Sequence, residues 1–185
     1  MKHPFESIPT SKLKALFWFL LVATLLTMVI MNLVGAPLMT VDAPSGIVSY
    51  ELAGSVTKTQ AILNSWNQNA LLHAAFSLGL DYLFMVVYAA AISLACVWAA
   101  EGIKNRRWPL GGLGAPLAWG VWLAGLLDAV ENLGLTLILF GSALYPWTAI
   151  ARWCAIFKFA LIFFGLVYAL YGLVVGIVSR LARAG

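Results

Sequence analysis

The chain has 185 residues, 63% of them hydrophobic and 10% charged, where a water-soluble domain carries roughly 45–50% apolar and about 25% charged residues. This excludes an ordinary soluble fold and predicts an integral membrane protein whose principal partner is the lipid bilayer. The formal charge of +4 comes from basic residues that flank apolar runs without forming a stripe, which speaks for orientation in a membrane and against nucleic acid as a partner.

The first apolar run, LFWFLLVATLLTMVIMNLVGA, follows Lys12 and Lys14 and predicts a span over about 13–35. About 20 apolar residues suffice to cross a hydrocarbon core of ~30 Å. Val34, Gly35 and Ala36 imitate a signal-peptide cleavage site. Pro37 would follow the cut, and the run exceeds the ~7–15 residues of a signal core, so an uncleaved anchor is expected. Asn32 is the one strongly polar side chain in this run.

From 37 to 69, Pro, Ser, Thr, Asn and Gln replace the Leu and Val runs, which predicts a hydrated loop. Ser45 is placed to cap a short helix over IVSYELA. Val56, Thr59, Ile62, Leu63 and Trp66 then recur at helical spacing, so a second amphipathic helix is expected to lie on the membrane surface as a lid. Glu51 and Lys58 are the charges of these two pieces.

A second span is expected over about 70–100, longer than crossing requires. His73, Ser77, Asp81, Phe84 and Tyr88 fall at steps of three and four and give it one partly polar face. EGIKNRRWPLGG marks an interhelical turn. The third span, about 116–140, contains LLDAVENLGL, in which Asp128, Glu131 and Asn132 interrupt an apolar run. At spacings of three and four they serve one side of a helix. GSALYPW links to a fourth span over about 149–178, with Arg152 in its first turns and Lys158 deeper. Ala151, Lys158, Gly165, Gly172 and Ser179 repeat every seven residues, which places the lysine on a small-residue stripe facing other helices. Cys96 and Cys154 lie inside spans without redox or disulfide spacing and read as small core residues. Most of the tryptophans fall near span ends, as an interfacial belt.

Lys2, Lys12 and Lys14 precede the first span, Lys104, Arg106 and Arg107 separate the second from the third, and Arg180 and Arg183 follow the fourth. The positive-inside rule then puts both termini in the cytoplasm of a cell or inner membrane, and the 37–69 loop on the exoplasmic or periplasmic side. At ~1.5 Å per residue, Asp81 lies roughly 30 Å from Glu101, Glu131 roughly 23 Å from Pro116, and Lys158 roughly 13 Å from Ala149. All three belong to the outer half of the membrane.

The expected fold is therefore all-α: a single polytopic domain, 1–185, of four transmembrane helices in a bundle with an amphipathic helical loop between spans 1 and 2. Its expected ligand-binding residues are Asp81, Asp128, Glu131, Asn132, Lys158, Arg152 and Glu51. A charge at a membrane centre costs several kcal/mol, so these groups face a protein interior and call for partners. Crowded carboxylates in low dielectric need a proton or metal beside the single lysine. Three classes of function follow. The first is binding or movement of a cation, a proton or a small polar ligand. The second is an accessory subunit, in a complex or homo-oligomer, whose polar cluster sets helix packing. The third is an enzyme using His73, Asp81, Asp128 and Glu131 on a divalent metal cofactor. DAVEN, Asp128 to Asn132, is similar to the D-x-x-E-N segment of the membrane-associated glutathione and eicosanoid enzymes. The arginine-rich stretch that precedes it there is replaced here by GVWLAGL, which leaves glutathione binding without support.

Overall fold

A computed structural model describes residues 2–184, and all regular structure among the described residues is helical. Four helices are long and apolar enough to cross a membrane: α1 (Thr10–Gly35), α4 (Gln68–Asn105), α5 (Gly114–Leu139) and α6 (Trp147–Ala184). Two short helices, α2 (Ile47–Glu51) and α3 (Val56–Ser65), lie in the loop between α1 and α4. Each span expected from sequence has its helix.

The helix ends follow from local chemistry. Ser55 caps α3 by accepting from the Lys58 N–H, and Asn67 Oδ1 accepts from Ala70 N–H at the start of α4. Each bond satisfies one of the donors that a helix start leaves open. α4 and α5 end in paired 6→1 and 5→2 bonds, Trp108 N–H to Ile103 O with Arg107 N–H to Lys104 O, and Ser142 N–H to Leu137 O with Gly141 N–H to Ile138 O. That pattern needs a left-handed residue at the turn. Gly141 supplies it freely at φ 88°, whereas Arg107 adopts it as a non-glycine at φ 58°. The short helix α2 departs from expectation: Gly46, at φ 57°, is its N-cap. Ser45 instead donates its backbone N–H to the Ser49 hydroxyl.

The chain forms two compact units, neither of them contiguous in sequence. One draws on Met1–Ala23, Val87–Ala124 and Phe159–Gly185. Its core gathers Leu13, Leu94, Val97, Ala118, Tyr168 and Val175. Small residues on α6 let backbones approach closely there: a Cβ at Gly172 would overlap Ala99, and one at Gly165 would press on Val121 and Ile92. Close packing through small residues is what apolar helices use where lipid would give apolar side chains no reason to prefer each other. Tyr168 and Tyr171 donate to the Leu110 and Pro109 carbonyls and pin the α4–α5 turn. At the N-terminus His3 Nδ1 accepts from the Phe5 N–H, and the ring packs against Phe5 and Trp119. Burial lowers the His3 pKa, against an opposing pull from Glu6.

The other unit draws on Thr24–Val86 and Gly125–Lys158, and so contains the whole 37–69 loop. Its core gathers Leu38, Tyr50, Ile62, Trp66, Leu78 and Leu135. The loop is folded down onto this core. Trp66 Nε1 donates to the Leu38 carbonyl at 2.9 Å, the Tyr50 hydroxyl donates to the Leu135 carbonyl at 3.1 Å, and the two rings meet edge to face. On α3, Thr59 and Ile62 are buried while Val56 is exposed. The amphipathic face of α3 is thus spent on the unit's own core.

Candidate functional site

The acidic turn of α5 carries Asp128, Glu131 and Asn132, at most 2% exposed. Spacings of three and four put the three on one face, as expected. Three further polar side chains reach the same place within this unit, each from a different element. Lys158 comes from α6, Asp81 from α4, and Glu51 from the last residue of α2.

Lys158 is the hub. Its Nζ donates to Asp128 Oδ1 at 2.6 Å and to Glu131 Oε1 at 3.0 Å, and lies 3.5 Å from Glu51 Oε2. A second, adjoining pair joins Asn132 Nδ2 to Asp81 Oδ2 at 2.5 Å. Charge-assisted bonds of this kind are shorter and stronger than neutral ones. Several polar atoms are nonetheless buried without a hydrogen-bond partner: Glu51 Oε2, Glu131 Oε2, Asn132 Oδ1 and, on the surrounding helices, the Ser77 and Thr59 hydroxyls. An orphaned buried acceptor costs roughly 1–3 kcal/mol, more for a charged group, so acceptors gathered in one cluster call for a donor.

Burial pushes the Glu51 carboxyl above the ordinary glutamate range. Lys158 opposes the shift and the Asp128 charge adds to it. The lysine does not win because Asp128 and Glu131 already share it. Tyr50, next to Glu51, is raised likewise by burial.

Of the residues singled out in the sequence, Glu51, Asp81, Asp128, Glu131, Asn132 and Lys158 come together. Arg152 does not. It is exposed, and its side chain lies over Gly54, where a Cβ would collide with it. His73 is likewise committed elsewhere, its Nδ1 2.8 Å from the Val34 carbonyl. Among the described residues no three His, Cys, Asp or Glu side chains are grouped to hold a metal ion. The reason is visible in the cluster: the point on which the carboxylates converge is filled by the Lys158 ammonium. Cys96 and Cys154 are buried free thiols, and Cys96 donates to the Gly165 carbonyl.

Sequence reasoning missed Tyr50, which ties α2 to α5, and the glycines that flank α2. Gly46 and Gly54 both have positive φ, 57° and 68°. A glycine on each side of the seven-residue stretch IVSYELA was the available signal. Comparison with protein-family models, with curated proteins and with solved structures finds no match.

Proposed function

We propose that the chain is a multi-pass membrane protein that binds and moves a small cation, the proton, at the Lys158 cluster. Both termini lie on the cytoplasmic side of a cell membrane, the 37–69 loop lies on the exoplasmic or periplasmic side, and the cluster occupies the outer half of the membrane. The observation that carries this reading is the imbalance of charge among buried groups: Glu51, Asp128 and Glu131 surround one ammonium, Asp81 adjoins them through Asn132, and none of the four carboxyls is more than 7% exposed. Ionisable groups at membrane depth are costly and mark ion pathways or proton relays more often than structure. A proton needs no cavity beyond the space between two carboxyl oxygens, so it fits a cluster whose centre a lysine already fills.

The test is proton uptake by protein reconstituted in liposomes, followed with an enclosed pH-sensitive dye. Asp128→Asn and Glu131→Gln should each abolish it while helix content and monodispersity stay as in the wild type. Uptake unchanged in both folded variants removes the proposal. A second reading, that the cluster sets helix packing in an accessory subunit, draws on the saturation of Lys158 by Asp128, Glu131 and Glu51. Copurification with a fixed partner chain, together with unchanged uptake, would favour it.

A further inference from the structure

Within the cluster Glu51 stands apart. Asp81, Asp128, Glu131 and Lys158 are carried by long apolar helices, whereas Glu51 ends a helix of five residues set between Gly46 and Gly54, both at positive φ. Its side chain is also the most accessible around the lysine, 9% exposed against 5% for Lys158, 3% for Asp128 and 0% for Glu131. The Glu51 and Glu131 carboxyls meet at one ammonium, with Glu51 Oε2 at 3.5 Å and Glu131 Oε1 at 3.0 Å from Lys158 Nζ; Glu131 keeps a buried Oε2 without a hydrogen-bond partner, and Glu51 Oε2 has only that long ion pair. Two carboxyls on one ammonium, with Glu131 Oε2 left without a hydrogen-bond partner, form a place for one shared proton.

We propose that Glu51 is the exchange group of this site, taking a proton from the loop side and passing it to Glu131, with α2 as the lid that governs access. The proposal rests on the proton-binding reading above. In the inward step a hydronium ion on the loop side gives a proton to the Glu51 carboxylate and leaves as water. The Glu51 O–H bond then breaks as an O–H bond forms on Glu131 Oε2, and Glu51 is left ionised again. Nothing is oxidised or reduced. The groups facing Glu51 are Asp128 and Glu131 from α5, Lys158 from α6 and Asp81 from α4. Lys58 on α3 is exposed, and Arg152 lies over Gly54 at the far end of the lid. The latch is the Tyr50 hydroxyl on the Leu135 carbonyl.

Dicyclohexylcarbodiimide, which adds to protonated carboxyls in apolar surroundings, serves as the probe. It is applied to protein in lipid nanodiscs near neutral pH, with the modified residue located by mass spectrometry. In the wild type the label should fall on Glu51 or Glu131. Tyr50→Phe removes the latch while keeping the ring and should speed labelling about fivefold, the weight of one net hydrogen bond. Glu51→Gln should slow labelling of Glu131 at least tenfold. If the wild type takes no label on any carboxyl of the cluster, the proton-binding reading itself fails. Should it take label at a rate that neither Tyr50→Phe nor Glu51→Gln alters, the site holds a proton but Glu51 and its lid are not the route. A Glu51→Gln chain that does not fold leaves Tyr50→Phe to decide alone, an unchanged rate overturning the proposal.

Discussion

Replacing Lys158 by methionine removes the charge and keeps most of the side-chain volume, and the structure gives the size of the effect. The ammonium is 4% exposed, with carboxylate oxygens at 2.6, 3.0 and 3.5 Å. At an effective dielectric of about 20, each contact carries roughly 5–6 kcal/mol of Coulomb attraction. Most of this is offset by desolvation and by repulsion among the carboxylates. What remains on breaking a buried pair from one side is about 3–5 kcal/mol, because the abandoned charges stay buried. At roughly 2–4 °C per kcal/mol for a chain of this length, Lys158→Met should lower the melting temperature in detergent by about 6–20 °C. The sign with pH is fixed as well. Acid protonates the abandoned carboxyls, so the deficit should shrink as pH falls and widen as it rises. Lys158→Met combined with Asp128→Asn should recover a large part of the loss, since one unpaired charge goes with the lysine. The reasoning is refuted if Lys158→Met melts within about 1 °C of the wild type, or if the double variant is no better than the single one.

Three further outcomes are expected. Gly172→Val puts a branched side chain onto Ala99 and should cost about 1–3 kcal/mol from overpacking, whereas Gly176→Ala, with open space around it, should be neutral or gain up to ~1 kcal/mol; melting temperatures in one detergent decide. Because burial raises Glu51 above its ordinary 4.5, the folded chain binds more protons than the unfolded one above that pH. The stability Glu51 contributes is then full below 4.5 and lost as pH rises through its folded value, so Glu51→Gln should flatten the fall in melting temperature on that limb. His3 works in the opposite sense: its pKa is lowered from 6.5, so its contribution is full above 6.5 and lost as pH falls through the folded value. His3→Asn, which keeps a capping acceptor for the Phe5 N–H and does not titrate, should remove that acid-side loss in the same melting series.

The helices were legible because a span is written in consecutive residues, and so were the facing groups of α5, whose spacing lies within one turn. Lys158 was legible through its seven-residue relation to Ala151, which is also buried. Arg152 shows where such reading stops. Six residues from Lys158 correspond to about 120° around the helix and ~9 Å along it, so the arginine faces away from the cluster. His73 stands eight residues from Asp81, about 80° around and ~12 Å along, and meets the Val34 carbonyl instead. Position along a helix was readable from sequence, and azimuth only for residues within a turn of each other. Glu51 was named as a charge of the loop and among the ligand-binding residues, but the way it reaches the cluster, at the end of α2 between Gly46 and Gly54 and beside the Tyr50 bond, is something no periodic pattern records.

The placing of Glu51 on the loop bears on why the cluster is built with more acid than base. A lysine between two carboxylates of neighbouring helices would already bridge α5 and α6, as Asp128 and Glu131 do. Adding Glu51 at 3.5 Å contributes little to that bridge, since the ammonium's short bonds are taken and the new carboxylate repels the other two. It also desolvates another charge. For packing alone a glutamine or a leucine at 51 would serve better, because neutral groups avoid that cost. A glutamate there is useful only if it changes protonation state or moves. On the proposal made above, α2 between Gly46 and Gly54 and the Tyr50 bond to Leu135 would govern that movement, and the excess of carboxylates over ammonium around Lys158 would favour uptake of a proton.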